Sequence, residues 1–279
     1  VPNVQLTWTQ AGLLGLGLFA LAALLSHRSE RRLKALAPFS REAGVIALLY
    51  AMWQLAGALA EHGSQGAFAR ARWIEHAQEA LGLPSERALQ QPLLDHPWLG
   101  QAANIYYATM HFGALFALLL WVFWRHRGRY PFVRTTVVAF TGLALLVQLI
   151  PVAPPRLLPE FGFTDVAAHY GQSVYALGGG SVDQLSAMPS VHVGWAVLVG
   201  GVVLWLGSGP WRFLALVHTA ATIYVVAATA NHWWFDGLAS IALLALVVAA
   251  QLGWARLRAR TPARTVEPAQ PERADQLTA

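Results

Sequence analysis

Ala187-Met188-Pro189-Ser190-Val191-His192 and Asn231-His232-Trp233-Trp234-Phe235-Asp236 each open an apolar run, the first at about 190–207 and the second at about 233–254. Runs of about 20 apolar residues match the length a helix needs to cross a hydrocarbon core of roughly 30 Å. A third run, at about 211–229, lies between them and returns the chain to the starting face. This path predicts that Ser190, His192, His232 and Asp236 meet at one membrane side, although the two histidines are 40 residues apart. Polar groups at membrane depth are costly unless they are paired or line a wet cavity, so their positions carry information.

Further apolar runs at about 9–26, 41–60, 103–125 and 131–151 complete seven candidate spans. The expected fold class is all-α, a polytopic transmembrane helix bundle forming one catalytic domain over residues 1–260. Composition agrees: 12% of residues are charged, about half the roughly 25% of an ordinary soluble domain. The first run is not read as a signal peptide, because the basic cluster Arg28, Arg31, Arg32 and Lys34 follows it rather than precedes it. Residues 261–279, rich in Pro, Ala, Gln and charge, are predicted to form a disordered cytoplasmic tail.

Orientation follows from the retention of Lys and Arg on the cytoplasmic side. With the N-terminus outside and the C-terminus cytoplasmic, only Arg70, Arg72, Arg87 and Arg156 of the 19 basic residues fall outside, so this arrangement is predicted. The net charge of +5 then reflects topology and gives no case for a nucleic-acid partner. The absence of cysteine rules out a disulfide framework and a thiolate nucleophile or metal ligand.

Two outer segments are long. In residues 61–102, Phe68, Trp73, Ile74, Ala77, Leu81 and Leu83 alternate with charges, which predicts an interfacial amphipathic helix ended by Pro84. Residues 152–188 carry Pro154-Pro155-Arg156 and Gly178-Gly179-Gly180 and are predicted to form an active-site loop. Trp233 and Trp234 are expected in an interfacial belt, and Trp195 in packing.

Phosphoryl transfer needs a nucleophile, an acid for the leaving oxygen, and donors around the phosphate, and each has a candidate. His232 and Asp236 are an i, i+4 pair. A carboxylate there can accept the proton of one imidazole nitrogen and leave the other free to attack phosphorus. His192 would protonate the leaving oxygen and then activate the incoming water or alcohol. Ser190 and backbone N–H groups at the helix start would hold phosphate oxygens, with Arg156 as the guanidinium clamp. Asn231 and Tyr107 are further candidate binding residues; His111 either faces the same cavity or is a satisfied structural histidine. No metal site is expected.

PS-x-H combined with H-x-x-x-D, each opening a transmembrane helix, resembles the type 2 phosphatidic acid phosphatase superfamily over roughly residues 100–255. Within it, Ala153-Pro154-Pro155-Arg156, Phe163-Thr164-Asp165 and the run from Ala187 to Ala196 are similar to the branch of inositol phosphorylceramide synthases and their bacterial relatives. The resemblance implies a six-helix core plus one N-terminal span. It also implies a phosphohistidine at His232 supported by Asp236, with His192 as acid/base and no metal or cofactor. The implied partners are a phospholipid or other lipid-phosphate donor and a water or alcohol acceptor, at the outer face of a bacterial plasma membrane. The chain departs from the usual superfamily pattern in having Val226 six residues before His232, where Ser-Arg is usual, and no outer lysine. Phosphate binding therefore falls on Arg156.

The same His, His and Asp serve a phosphatase using water or a phosphotransferase using a lipid or sugar alcohol, with the APPR run favouring transfer. A transporter or lipid-binding protein would use the pocket without chemistry. Against it, the polar cluster sits at one face and the two halves show no matching interrupted spans.

Overall fold

The computed structural model describes residues 6–60, 64–172 and 184–260, and within them the protein is helical, with one isolated bridge between Val152 and Ser186. The helices are α1 (Trp8–Ser26), α2 (Arg31–Lys34), α3 (Ala37–Ala60), α4 (Ser64–Ala80), α5 (Glu86–Asp95), α6 (Pro97–Arg125), α7 (Tyr130–Val147), α8 (Val166–His169), α9 (Val191–Leu206), α10 (Leu214–Ala228) and α11 (Trp234–Arg260). Six stretches are long and apolar enough to cross a membrane: Trp8–Ser26, Arg31–Ala56, Pro97–Arg125, Tyr130–Val147, Pro210–Ala228 and Trp234–Ala259. Helix α9, the remaining predicted span, has only 16 residues. Ser190 caps its start and the extended Gly207 ends it, so at 1.5 Å per residue it reaches about 24 Å.

Helix α1 starts in a capping box, in which Thr7 Oγ1 accepts from Gln10 N and Gln10 Oε1 accepts from Thr7 N. It pairs with α3, which is tied to α7 by the Arg134–Glu42 ion pair. The main core joins α6, α7, α9 and α11 through Leu118, Val122, Val133, Phe140, Leu198, Val203, Leu244 and Val247. Lipid tails are as apolar as these side chains, so close packing rather than water exclusion holds the helices together. Gly194 shows how close: a Cβ there would lie 2.0 Å from Phe140 Cζ. Gly194→Ala is expected to destabilise the protein by about 1–3 kcal/mol through overpacking, read as a lower Tm in detergent.

One end of the bundle carries a cap. Helix α4 buries Ala67, Ala71, Ile74 and Gln78 along one stripe, while Trp73, placed with the apolar set in the sequence, is exposed. It ends earlier than expected. The chain turns at Leu81-Gly82, with Gly82 at φ +67°, and Pro84 lies in the link to α5. Helix α5 was not foreseen, because its buried face is partly polar: Glu86, Gln90 and Leu93 turn inward.

The cap grips the loop that follows α7. Arg70 Nε donates to the carbonyl of Pro151 (2.7 Å), Ala153 N donates to Ala67 O (3.3 Å), and Arg72 pairs with Glu160 (3.0 Å). Trp233 is not in an interfacial belt. It is 1% exposed beneath this loop, its indole N–H donating to Ala153 O (2.9 Å) and its ring edge-on to Phe163. Trp195, as expected, packs in the core and donates to Thr141 Oγ1. The Gly178-Gly179-Gly180 triplet and the predicted tail 261–279 lie outside the described residues.

Burial pushes the Glu75 carboxyl up from 4.5 to about 7, helped by Glu86 and Glu79 and opposed by His76 and Arg87. Its folded-state value is above its unfolded one, so the associated stability is present in full below pH 4.5 and is lost as pH rises through about 7. Tm in detergent is expected to fall across that window, and Glu75→Gln to flatten the fall.

Candidate active site

His232 lies in the tight connection between α10 and α11, and backbone chemistry fixes it there. Helix α10 ends in a Schellman motif: Ala230 is left-handed (φ 56°), Ala230 N donates to Ala227 O (2.9 Å), and Asn231 N donates to Val226 O (3.1 Å). His232 N shares the Val226 carbonyl, also at 3.1 Å. A left-handed alanine costs about 1–2 kcal/mol, and here it turns the chain straight into α11. The His232–Asp236 pair therefore spans a turn and the first residues of a helix rather than a continuous helix.

The imidazole of His232 is 6% exposed. Its Nδ1 is 2.8 Å from the Ala187 carbonyl and 3.3 Å from Asp236 Oδ2. The shorter contact, to a group that only accepts, assigns the proton to Nδ1, so the tautomer is set first by a backbone carbonyl and second by the carboxylate. Nε2 is buried and has no hydrogen-bond partner among the described residues. Asp236, fully buried, also accepts from Trp233 N (2.8 Å) and so ties the ring to the start of its helix.

His192 arrives from α9, two residues past the N-cap. Ser190, a candidate phosphate ligand, is fully buried, and its hydroxyl accepts from Val193 N (3.3 Å). Its backbone joins the two motifs: Ser190 N donates to Asp236 O (3.1 Å), and Ser240 Oγ donates to Ser190 O (2.6 Å). These bonds bring the His192 and His232 rings to 5.5 Å between centroids.

On the far side of His192, Tyr107 stacks at 4.4 Å and His111 lies at 4.2 Å, its Nδ1 on the Tyr107 carbonyl. His111 thus faces the cavity, which Tyr106, Tyr107, His192, Thr222, Val225 and Val226 also line. Among the described residues no group of three His, Asp or Glu is arranged to hold a metal ion.

Arg156 is 5% exposed in the turn Pro155–Leu157. Its backbone N–H donates to Ala230 O (2.9 Å) and its Nε to Asn231 Oδ1 (2.9 Å); Nη1 lies 3.2 Å from Gln184 Oε1 and 3.4 Å from Asp165 Oδ2. Asn231 in turn donates to Thr229 Oγ1 (2.9 Å). The expected clamp is therefore bonded to the residue beside His232, and Asn231 orients it. The structure brings His232, Asp236, His192, Tyr107, His111, Arg156 and Asn231 together at one end of the bundle, with Ser190 behind them.

The sequence reading missed the Ala187 carbonyl, a backbone group with no side-chain signal, and the polar residues of α4 and α5 that reach α11.

The chain matches the PAP2 superfamily over residues 72–250, and it belongs to that superfamily. Members are generally phosphatases or phosphotransferases, and with its apolar helices the chain is a membrane enzyme of that kind. The match takes in the second half of α4 and all of α5, and it leaves α1, α2 and α3 outside. Neither a curated protein nor a solved structure gives a match.

Proposed function

We propose that the protein transfers a phosphoryl or phospho-headgroup from a lipid-linked phosphate through a phosphohistidine on His232, without a metal. The observation that carries this reading is the buried, unpartnered Nε2 of a histidine whose Nδ1 is held by Ala187 O and Asp236.

In the first step the Nε2 lone pair forms a bond to phosphorus and the bond from phosphorus to the leaving oxygen breaks. Protonated His192 gives that oxygen its proton. The ring of His232 becomes cationic, and the Asp236 carboxylate stabilises it. Neutral His192 then takes a proton from the acceptor, whose oxygen attacks phosphorus as the N–P bond breaks. Arg156 and the backbone N–H groups at the head of α9 hold the phosphate oxygens. Val226 leaves the cavity without the arginine usual in the superfamily, which concentrates this task on Arg156.

The resemblance of the APPR run to inositol phosphorylceramide synthases and their bacterial relatives favours a lipid or sugar alcohol as acceptor, with water as the alternative. The basic-residue distribution favours a site on the non-cytoplasmic face. Product analysis with a labelled lipid phosphate, with and without added alcohols, tests the reading. Transfer predicts an alcohol-dependent phosphodiester or phosphomonoester and turnover insensitive to EDTA. Free phosphate alone supports the phosphatase, and loss with EDTA restored by a divalent ion contradicts the metal-free step.

A further inference from the structure

Trp233 stands immediately before α11 and its side chain offers no acceptor, so the first amides of that helix need partners from elsewhere. One is internal, since Asp236 accepts from Trp233 N. Asp236 N donates to Trp233 O (3.1 Å), and the two amides between are met from the cap: Glu86 Oε1 accepts from Trp234 N (3.0 Å), and Gln78 Oε1 accepts from Phe235 N (3.1 Å). Gln78 Nε2 also donates to Glu86 Oε1 (2.8 Å), so the two side chains form one connected unit, 3% and 2% exposed. A second contact of the same kind lies one turn further along α5. Gln90 Nε2 donates to Thr164 O (2.8 Å) and its Oε1 accepts from Thr164 N (2.9 Å), beside the Asp165 that meets Arg156.

We infer that Glu86 and Gln78 are positioning residues for His232, capping the catalytic helix from outside it, and that Gln90 does the same for the Thr164-Asp165 loop opposite Arg156. Burying a glutamate and two glutamines is costly unless they are bonded, and each of the three meets at least one backbone group of the start of α11 or of Thr164. Helices α4 and α5 then hold the nucleophile's helix start and the clamp's loop in register. A misplacement of about 1 Å at the chemistry lowers turnover about 100-fold. The catalytic half of this inference rests on the phosphohistidine reading; the capping half does not.

The test uses the full chain in detergent, with hydrogen exchange of residues 230–237 beside steady-state kinetics on a lipid phosphate. Glu86→Ala is expected to speed Trp234 amide exchange, and Gln78→Ala that of Phe235, each by about tenfold, the factor for about 1.4 kcal/mol of lost capping. Both should lower kcat by about 10- to 100-fold with KM within about threefold. Glu86→Gln keeps an oxygen acceptor and should restore exchange and kcat to within about threefold of wild type.

Unchanged exchange in folded Glu86→Ala and Gln78→Ala overturns the capping. Faster exchange with unchanged kcat overturns the positioning. Glu86→Gln as damaged as Glu86→Ala overturns the acceptor argument in favour of charge. Should Glu86→Ala not fold, Gln78→Ala decides, since it removes one acceptor without removing the carboxylate. His232→Ala is measured in parallel: normal turnover there sinks the phosphohistidine reading and the catalytic half together, while exchange still decides the capping.

Discussion

His232→Ala is expected to lower kcat on a lipid phosphate by about 10⁴-fold or more, with the protein still folded in detergent. The side chain is buried and its Nδ1 bonds to Ala187 O and Asp236, so the substitution also costs some stability, while Nε2 makes no bond among the described residues. On the proposed mechanism the substitution removes the nucleophile. The loss should be as deep for an activated aryl phosphate as for a lipid, because a better leaving group does not replace a missing nucleophile. Parallel turnover assays on both substrates, with a thermal melt as the folding control, check this. Substantial residual activity would remove His232 from the nucleophile role.

Replacing His192 by Ala separates the second histidine from the first. A general acid contributes about 10²–10⁴-fold, and its contribution shrinks as the leaving group becomes less basic. His192→Ala should therefore slow a lipid alkoxide substrate by about that factor and an aryl phosphate, whose phenolate departs unaided, far less. The geometry supports this division of labour: His192 sits 5.5 Å from His232, ring to ring, and borders the cavity through Tyr107 and His111 rather than contacting Asp236. If His192→Ala slowed both substrates equally while His232→Ala spared the aryl phosphate, the two roles would have to be exchanged.

Much of this was legible in the sequence because apolar runs and polar intrusions are strong signals in a membrane chain. Each predicted span overlaps a helix, with ends up to six residues apart, and PS-x-H and H-x-x-x-D meet at one end of the bundle because α10 returns the chain between them. What stayed hidden follows a physical pattern. Helix α5 packs Leu89, Leu93 and Leu94 inward, but it is only 10 residues long and shares its buried face with Glu86 and Gln90, so its apolar signal is short and broken by polar residues. Trp233 looked interfacial because its neighbours are aromatic, yet loop residues from Ala153 to Phe163 fold over it, and no local pattern encodes that long-range cover. Arg156 was found as a basic residue in a proline-rich loop, but its dependence on Asn231 is a contact across 75 residues. Ala187 acts through its carbonyl, which every residue has.

On the proposed mechanism His232 carries the phosphoryl group on Nε2. This is tested most directly by quenching the enzyme during turnover of a labelled lipid phosphate, digesting at neutral to alkaline pH, and mapping the acid-labile label by mass spectrometry and phosphorus NMR. Label is expected on His232 alone, as the Nε2-phosphorylated isomer, because Nδ1 is engaged by Ala187 O and Asp236. Label on His192, on Nδ1 of His232, or no phosphoenzyme in a preparation that turns over rapidly would contradict that mechanism.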